Sequence, residues 1–392
     1  MRLFDAGSVR RSVLVLVLAW GLAGACGYGS AGSRPNVTPN SPLAASLSPL
    51  VEQTMRELRV PGAVVAVVAP GRGSWMQAFG VADLKTGVRM GKDDHMRIGS
   101  ITKTFTGTVV LALVDDGKLS LDDHLSSFEP EVRGAAAITV RELLNMTTGL
   151  YNYSEDPGFN ATLDRQPDKV WSPPELVAIS GRHPPDFSPG RGWHYSNTNT
   201  VLLGMIAEKV TGRPLSQLMQ ERIFRPLHLR ATTFPGRASS AIPNPHPNGY
   251  MFGNNVESLS PTQAPIPPSE APQDVTSANP SWGWAAGAGT STASDLLSWA
   301  PALAKGTLLK PATQAQRLQW VGNGGAKYGL AIFDVQGYLG HNGELPGFQS
   351  FMGYNPANGV TLVVLTNLTF GPQPERPGPA DTIARTILPK LA

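Results

Sequence analysis

The sequence predicts an α+β fold: an antiparallel β-sheet formed from both ends of the chain, flanked by helices, with an all-helical region inserted in the middle. Three observations predict it. Runs rich in β-branched, aromatic and small apolar residues, the pattern of strands, occur near the N-terminus at 62–70 and 77–82. Similar runs return near the C-terminus at 328–335, 338–341, 348–354 and 360–368. Between the two groups, apolar residues recur at helical spacing. Strands grouped at the ends rather than alternating with helices argue for α+β. With 392 residues, 41% hydrophobic and 16% charged, the composition is that of an ordinary globular protein, and the 42 Gly and 35 Pro, scattered throughout, make it loop-rich.

The elements follow in order. Residues 1–25 carry Arg2, Arg10 and Arg11, then an apolar run at 12–25, which is the pattern of a secretory signal peptide. The run is shorter than the roughly 20 apolar residues of a spanning helix. The sole cysteine, Cys26, follows Gly24 and Ala25, and residues 22–26 (LAGAC) resemble a bacterial lipobox. Cys26 is therefore the expected lipidation site, the plainer alternative being a small apolar residue at the end of the signal. Residues 26–45 are expected to be a flexible tether and 46–392 the folded domain. The protein is thus expected outside the cell membrane, in the envelope, with the membrane as partner through its lipid anchor. Cleavage would remove three Arg and Asp5, taking the net charge from +3 to +1, which offers no case for nucleic acid.

Helical spacing covers 50–60, ahead of the first strand. The segment 101–114 is apolar nearly all round, the mark of a central buried helix, and Gly117 sits where a helix C-terminus wants it. Shorter helices are expected at 140–146, 174–180, 200–210 and 215–223. A Pro- and Asn-rich stretch at 243–280 reads as a surface excursion. Helix returns at 293–303, and a last helix runs over about 381–391.

The chemistry is concentrated in three places. Ser100-Ile101-Thr102-Lys103 opens the buried helix, putting a hydroxyl and an amine on one face within reach of each other. A desolvated lysine loses its proton more readily and can act as base for the hydroxyl, although a lone Ser-x-x-Lys is far more often a Ser cap and a solvated Lys. Tyr195-Ser196-Asn197 precedes a helix and supplies a phenol for proton transfer and an amide, or simply a cap. His341-Asn342-Gly343 stands at the end of a strand, where Gly lets a ligand approach the backbone or closes a hairpin.

In order and spacing the three motifs resemble the serine DD-carboxypeptidase and class C β-lactamase branch of the penicillin-binding superfamily. The segments RIGSITKTFTGTVVLALVDDGKLSLDD (97–123), ITVRELLNMTTGL (138–150), HYSNTNTVLLGMIAEKVTGRPL (194–215), AAGAGTSTASDL (285–296) and GHNGELPGF (340–348) carry the resemblance. Secreted actinobacterial DD-peptidases are similar in having His in the third motif. The resemblance implies the β-lactamase/transpeptidase-like fold, Ser100 as acylated nucleophile, Lys103 as base and Tyr195 as proton relay. It implies Asn197, His341 and Gly343 as substrate-binding residues, and the backbone N–H groups of Ser100 and Glu344 as oxyanion hole. It implies no cofactor and no metal.

Four functions remain in contention for a small-molecule or peptide acyl substrate, including cell-wall peptide. They are a D-alanyl-D-alanine carboxypeptidase, an esterase or amidase for uncharged acyl groups, a β-lactamase, and a non-catalytic binding protein of the same fold. The last would be expected to have lost Ser100, Lys103 or Tyr195. No Gly-x-Ser-x-Gly elbow and no His-Glu-x-x-His occurs. Two departures bear on substrate: Phe333 stands where the similar peptidases have an Arg for the substrate carboxylate, and Glu344 adds a like charge if it faces the site. On the lipoprotein expectation, Cys26→Ser should release the protein from membranes or block its processing. Detergent partitioning and intact mass check this, and an unmodified soluble protein beginning elsewhere would contradict it.

Overall fold

The computed structural model describes residues 42–259, 266–267, 269–322, 327–371 and 377–391. The signal peptide, Cys26 and most of the tether expectation lie outside the described residues. Seven strands form one sheet: β1 (Gly62–Ala69), β2 (Gly73–Gly80), β3 (Lys327–Tyr328), β4 (Phe333–Val335), β5 (Tyr338–Leu345), β6 (Phe348–Tyr354) and β7 (Thr361–Thr366). Their order is β2-β1-β7-β6-β5-β4-β3, every neighbour antiparallel. The two ends of the chain meet at β1 and β7, in register from Ala63 opposite Thr366 to Val68 opposite Thr361.

Both faces of the sheet are covered, which is why β1 and β7 are apolar at nearly every position. Side chains alternate: Ala63, Val65, Val67, Leu362 and Val364 face one core, and Val64, Ala66, Val363 and Leu365 the other. The first core is closed by helices from the two termini, α1 (Pro42–Leu58) and α5 (Pro379–Ile387). The second contains α2 (Thr102–Asp115), α3 (Asn197–Thr211), α4 (Ala293–Lys305) and the inserted helical region.

Helix α2 is buried from Thr102 to Leu113, and its threonines are satisfied within the core. Thr106 Oγ1 donates to the Ala285 carbonyl at 2.6 Å, and Thr102 Oγ1 accepts from Gly289 N at 3.0 Å. Trp299 of α4 stacks on Phe105 at 4.7 Å and donates to Thr104 Oγ1 at 2.8 Å. Gly117, at φ +70°, ends the helix as expected.

Four expectations are corrected. Residues 42–45 are not tether but the first turn of α1, because Leu43, with Leu47, is buried against α5. The 243–280 stretch is not simply a surface excursion: Tyr250, Met251 and Phe252 are buried, and Tyr250 N donates to the Asn367 carbonyl. The His-Asn-Gly motif lies inside β5, which continues to Leu345, instead of at a strand end. The last helix begins at Pro379 and gives way to a 3₁₀ turn after Ile387.

Candidate active site

A 3₁₀ turn, Gly99–Ile101, leads into α2 and holds Ser100 at the helix mouth, just ahead of the turn's first N–H bonds, Ile101 N to the Ile98 carbonyl and Thr102 N to the Gly99 carbonyl. Two glycines bring this turn against β5. Gly99 is at φ +51°, and a Cβ there would lie 2.2 Å from Glu344 N. A Cβ on Gly343 would lie 1.9 Å from the Ile98 carbonyl oxygen. Backbone therefore meets backbone between Ser100 and Glu344, which no side chain would permit.

Lys103, one turn along, is fully buried beneath Ser100. Its Nζ donates to Ser100 Oγ at 3.0 Å, Asn197 Oδ1 at 2.6 Å and the Ala286 carbonyl at 2.8 Å. Burial pushes its pKa well below the ordinary 10.5. Tyr195 donates its hydroxyl to Ser100 Oγ at 2.7 Å, and its ring lies 4.9 Å from Lys103 Nζ. Burial, and more weakly Glu344, hold the Tyr195 pKa above its usual value against the opposing bond to Ser100, so the phenol is protonated.

His341 is near these groups but does not line the cavity that Ser100 and Tyr195 face. It is 2% exposed and packs against Phe333, with ring centroids 4.7 Å apart, behind Tyr195. Burial first, then Lys103, push its pKa down to about 3, so the ring is neutral. Nδ1 lies 2.6 Å from the Asn342 carbonyl, which assigns the proton to Nδ1 and leaves Nε2 to accept from Tyr328 OH at 3.4 Å. Phe333 also stacks behind Tyr195 rather than reaching a substrate, so its position is one of core packing.

Asn197 is held at both ends, by Lys103 through Oδ1 and by Ser154 Oγ, to which its Nδ2 donates at 2.9 Å. Its backbone N donates to Asn152 Oδ1 at 3.0 Å. Asn152 and Ser154 escaped the sequence reading, as did the Ala286 carbonyl; a 3₁₀ turn (Tyr153–Glu155) and a main-chain oxygen carry no periodic signal.

A family model described as Beta-lactamase matches residues 47–384. The chain belongs to the Beta-lactamase family. Within the serine β-lactamase and penicillin-binding superfamily, a D-stereospecific amidohydrolase from Streptomyces sp. is similar, with 36% identity and a TM-score of 0.72 over 83% of this chain and 95% of that one. A D-amino acid amidase from Ochrobactrum anthropi SV3, solved with L-phenylalanine amide, has 27% identity and a TM-score of 0.74 over 88% and 97% of the two chains. Esterase EstB of Burkholderia gladioli is 32% identical over 219 residues, 53% of this chain and 55% of that protein. The chain spans about half the length of the curated relatives it matches.

In this Beta-lactamase-family chain a cavity of about 230 Å³ opens beside Ser100, small against the ~300–1,000 Å³ typical of drug-sized sites. Tyr195, Asn197, Asn152, Trp282 and Leu345 contribute to its walls. Its charged or titratable lining is mostly acidic: Glu155, Glu344 and Asp381, with His194. No Lys or Arg lines it among the described residues. His194 is clamped between Asp186 (2.5 Å) and Glu155 (3.3 Å), and the bond to Glu155 leads the rise of its pKa to about 9. Among the described residues, no group of three or more His, Cys, Asp or Glu could hold a metal ion.

Two predictions follow from this geometry. Gly343→Ala must push β5 off the Ser100 turn, costing about 1–3 kcal/mol as overpacking does and slowing Ser100 modification; calorimetry and phosphonylation rates check both, and unchanged values would contradict the close approach. His194 binds its proton more tightly folded than unfolded, so its contribution to stability is full below about pH 6.5 and is lost as pH rises through about 9. Melting temperatures should fall across that window and His194→Gln should flatten the fall; parallel profiles would contradict it.

Proposed function

We propose that the protein is a serine hydrolase forming an acyl-enzyme on Ser100, and that it cleaves small amides or esters with no carboxylate beside the scissile bond. The single observation that carries the substrate reading is the acidic lining of the cavity beside Ser100, without Lys or Arg among the described residues. A carboxylate calls for an available cation there; His341, neutral and buried, is none, and His194, though protonated, is already paired with Asp186 and Glu155. The amidohydrolase, amidase and esterase relatives agree with this choice. The His341-Asn342-Gly343 motif supports D-alanyl-D-alanine carboxypeptidase activity as the second reading. We also propose that the mature protein is exported and held to the membrane through acylated Cys26.

In the proposed reaction, Lys103 Nζ takes the Ser100 proton as Oγ bonds to the substrate carbonyl carbon. The backbone N–H groups of Ser100 and Glu344 receive the developing oxyanion, an arrangement in which one donor is worth several kcal/mol. Tyr195 gives its proton to the leaving amine or alcohol as the carbonyl–heteroatom bond breaks, and recovers one from Lys103. Water then attacks the ester on Ser100, passing a proton back to Oγ as the acid leaves.

A fluorophosphonate should add once, to Ser100, and not at all to Ser100→Ala by intact mass. Lys103→Ala should slow acylation by about 10²–10⁴-fold. For an acyl-D-Ala-D-Ala peptide, kcat/KM should favour the methyl ester over the free acid, by about 10–150-fold if one charge-assisted bond of roughly 1.5–3 kcal/mol is missing. Labelling elsewhere would overturn the nucleophile, and a preference for the free acid would overturn the substrate reading.

A further inference from the structure

Glu344 and Asp381 line the cavity beside Ser100 from two elements, β5 and the first turn of α5. Asn342 Nδ2 donates to Asp381 Oδ2 at 2.8 Å, while Asp381 Oδ1 has no hydrogen-bond partner among the described residues although the residue is only 5% exposed. A buried acceptor left unmade costs about 1–3 kcal/mol. Glu344 receives a neutral donor, Gln349 Nε2, at 3.1 Å.

An Asp in the first turn of a helix ordinarily serves the helix dipole. That role suits a solvated, ionised carboxylate. Here burial, with repulsion from Glu344, lifts the Asp381 pKa to about 7 against the bond from Asn342 and the weaker attraction of Arg385, one turn along α5. Nor does the start of α5 offer its amides to an anion, since Gln349 Oε1 accepts from Ala380 N at 2.7 Å and from Asp381 N at 3.4 Å.

We infer that Glu344 and Asp381, with Gln349 between them, form a subsite for a cationic group of the substrate, a protonated amine or its quaternary analogue. This rests on the Ser100 acyl-enzyme reading and narrows it: the preferred amides and esters carry a positive charge. An ammonium group in the cavity offsets the charge of the two carboxyls together, including that of Asp381, whose Oδ1 no donor among the described residues meets.

The test compares matched esters with and without the charge, using the full chain near neutral pH. Phenylalanine methyl ester, in D and L forms, against its N-acetyl derivative puts the charge in the acyl part. Acetylcholine against 3,3-dimethylbutyl acetate puts it in the leaving alcohol. In at least one pair kcat/KM should favour the cation about tenfold or more, and Glu344→Gln and Asp381→Asn should each reduce that ratio, mainly through KM. No preference in either pair, or a ratio unmoved in both variants, would overturn the subsite while turnover of the neutral esters keeps the hydrolase reading. Absence of all turnover together with no phosphonyl adduct on Ser100 would overturn both.

Discussion

The structure depends on one desolvated amine. Lys103 Nζ stands where three parts of the chain converge: Ser100 at the start of α2, Asn197 at the start of α3, and the Ala286 carbonyl ahead of α4. An ammonium group removed from water is costly unless its donors are met, and here each of three donors finds an oxygen. The same burial that requires those partners pushes the amine toward its neutral form, which is the form a base must take. Packing of the helical region against the sheet and tuning of the base are thus one constraint.

The remaining geometry follows from how closely β5 can approach that amine's helix. Gly99 and Gly343 remove the side chains that would separate the Ser100 turn from Glu344 N, and Tyr195 covers the opposite side, 2.7 Å from Ser100 Oγ. Behind Tyr195 the site is closed by neutral groups, Phe333, Tyr328 and His341. In front, the cavity is bounded by carboxyl groups. Polar groups are therefore sorted by depth, with a buried amine beneath the nucleophile and, facing the substrate, Glu344 and Asp381 beside the His194–Glu155 ion pair.

Much of this was legible in the sequence. The apolar surround of α2 and the strand runs at the two ends come from burial on every side, which leaves a direct compositional trace. Ser100 and Lys103 lie one helical turn apart, so their contact follows from helix geometry alone. The extent of β5 did not show, because Asn342, Gly343 and Glu344 have little strand preference and are held by pairing with β6 from Phe351, Ser350 and Gln349. The sequence resemblance puts His341 on the substrate side and Phe333 in place of a substrate-binding Arg, whereas in the fold both are buried and pack on each other, Phe333 following a turn through Ala331 at φ +58°. Asp381 and Gln349 meet Glu344 only through the docking of α5 on the sheet, a contact with no local signature.

The most direct test of the central claim is the titration of Lys103 in the folded, unliganded protein. Carbon-13 NMR of the lysine Cε resonances would follow it, with the Lys103 signal assigned by its loss in Lys103→Arg. The account predicts that this one resonance titrates well below the ordinary lysine value of 10.5 and below the exposed lysines. It also predicts that Asn197→Ala, which removes one acceptor of the ammonium, moves the midpoint lower still. A Lys103 midpoint at or above the ordinary lysine value would contradict it, since the amine would then remain charged where a base is required.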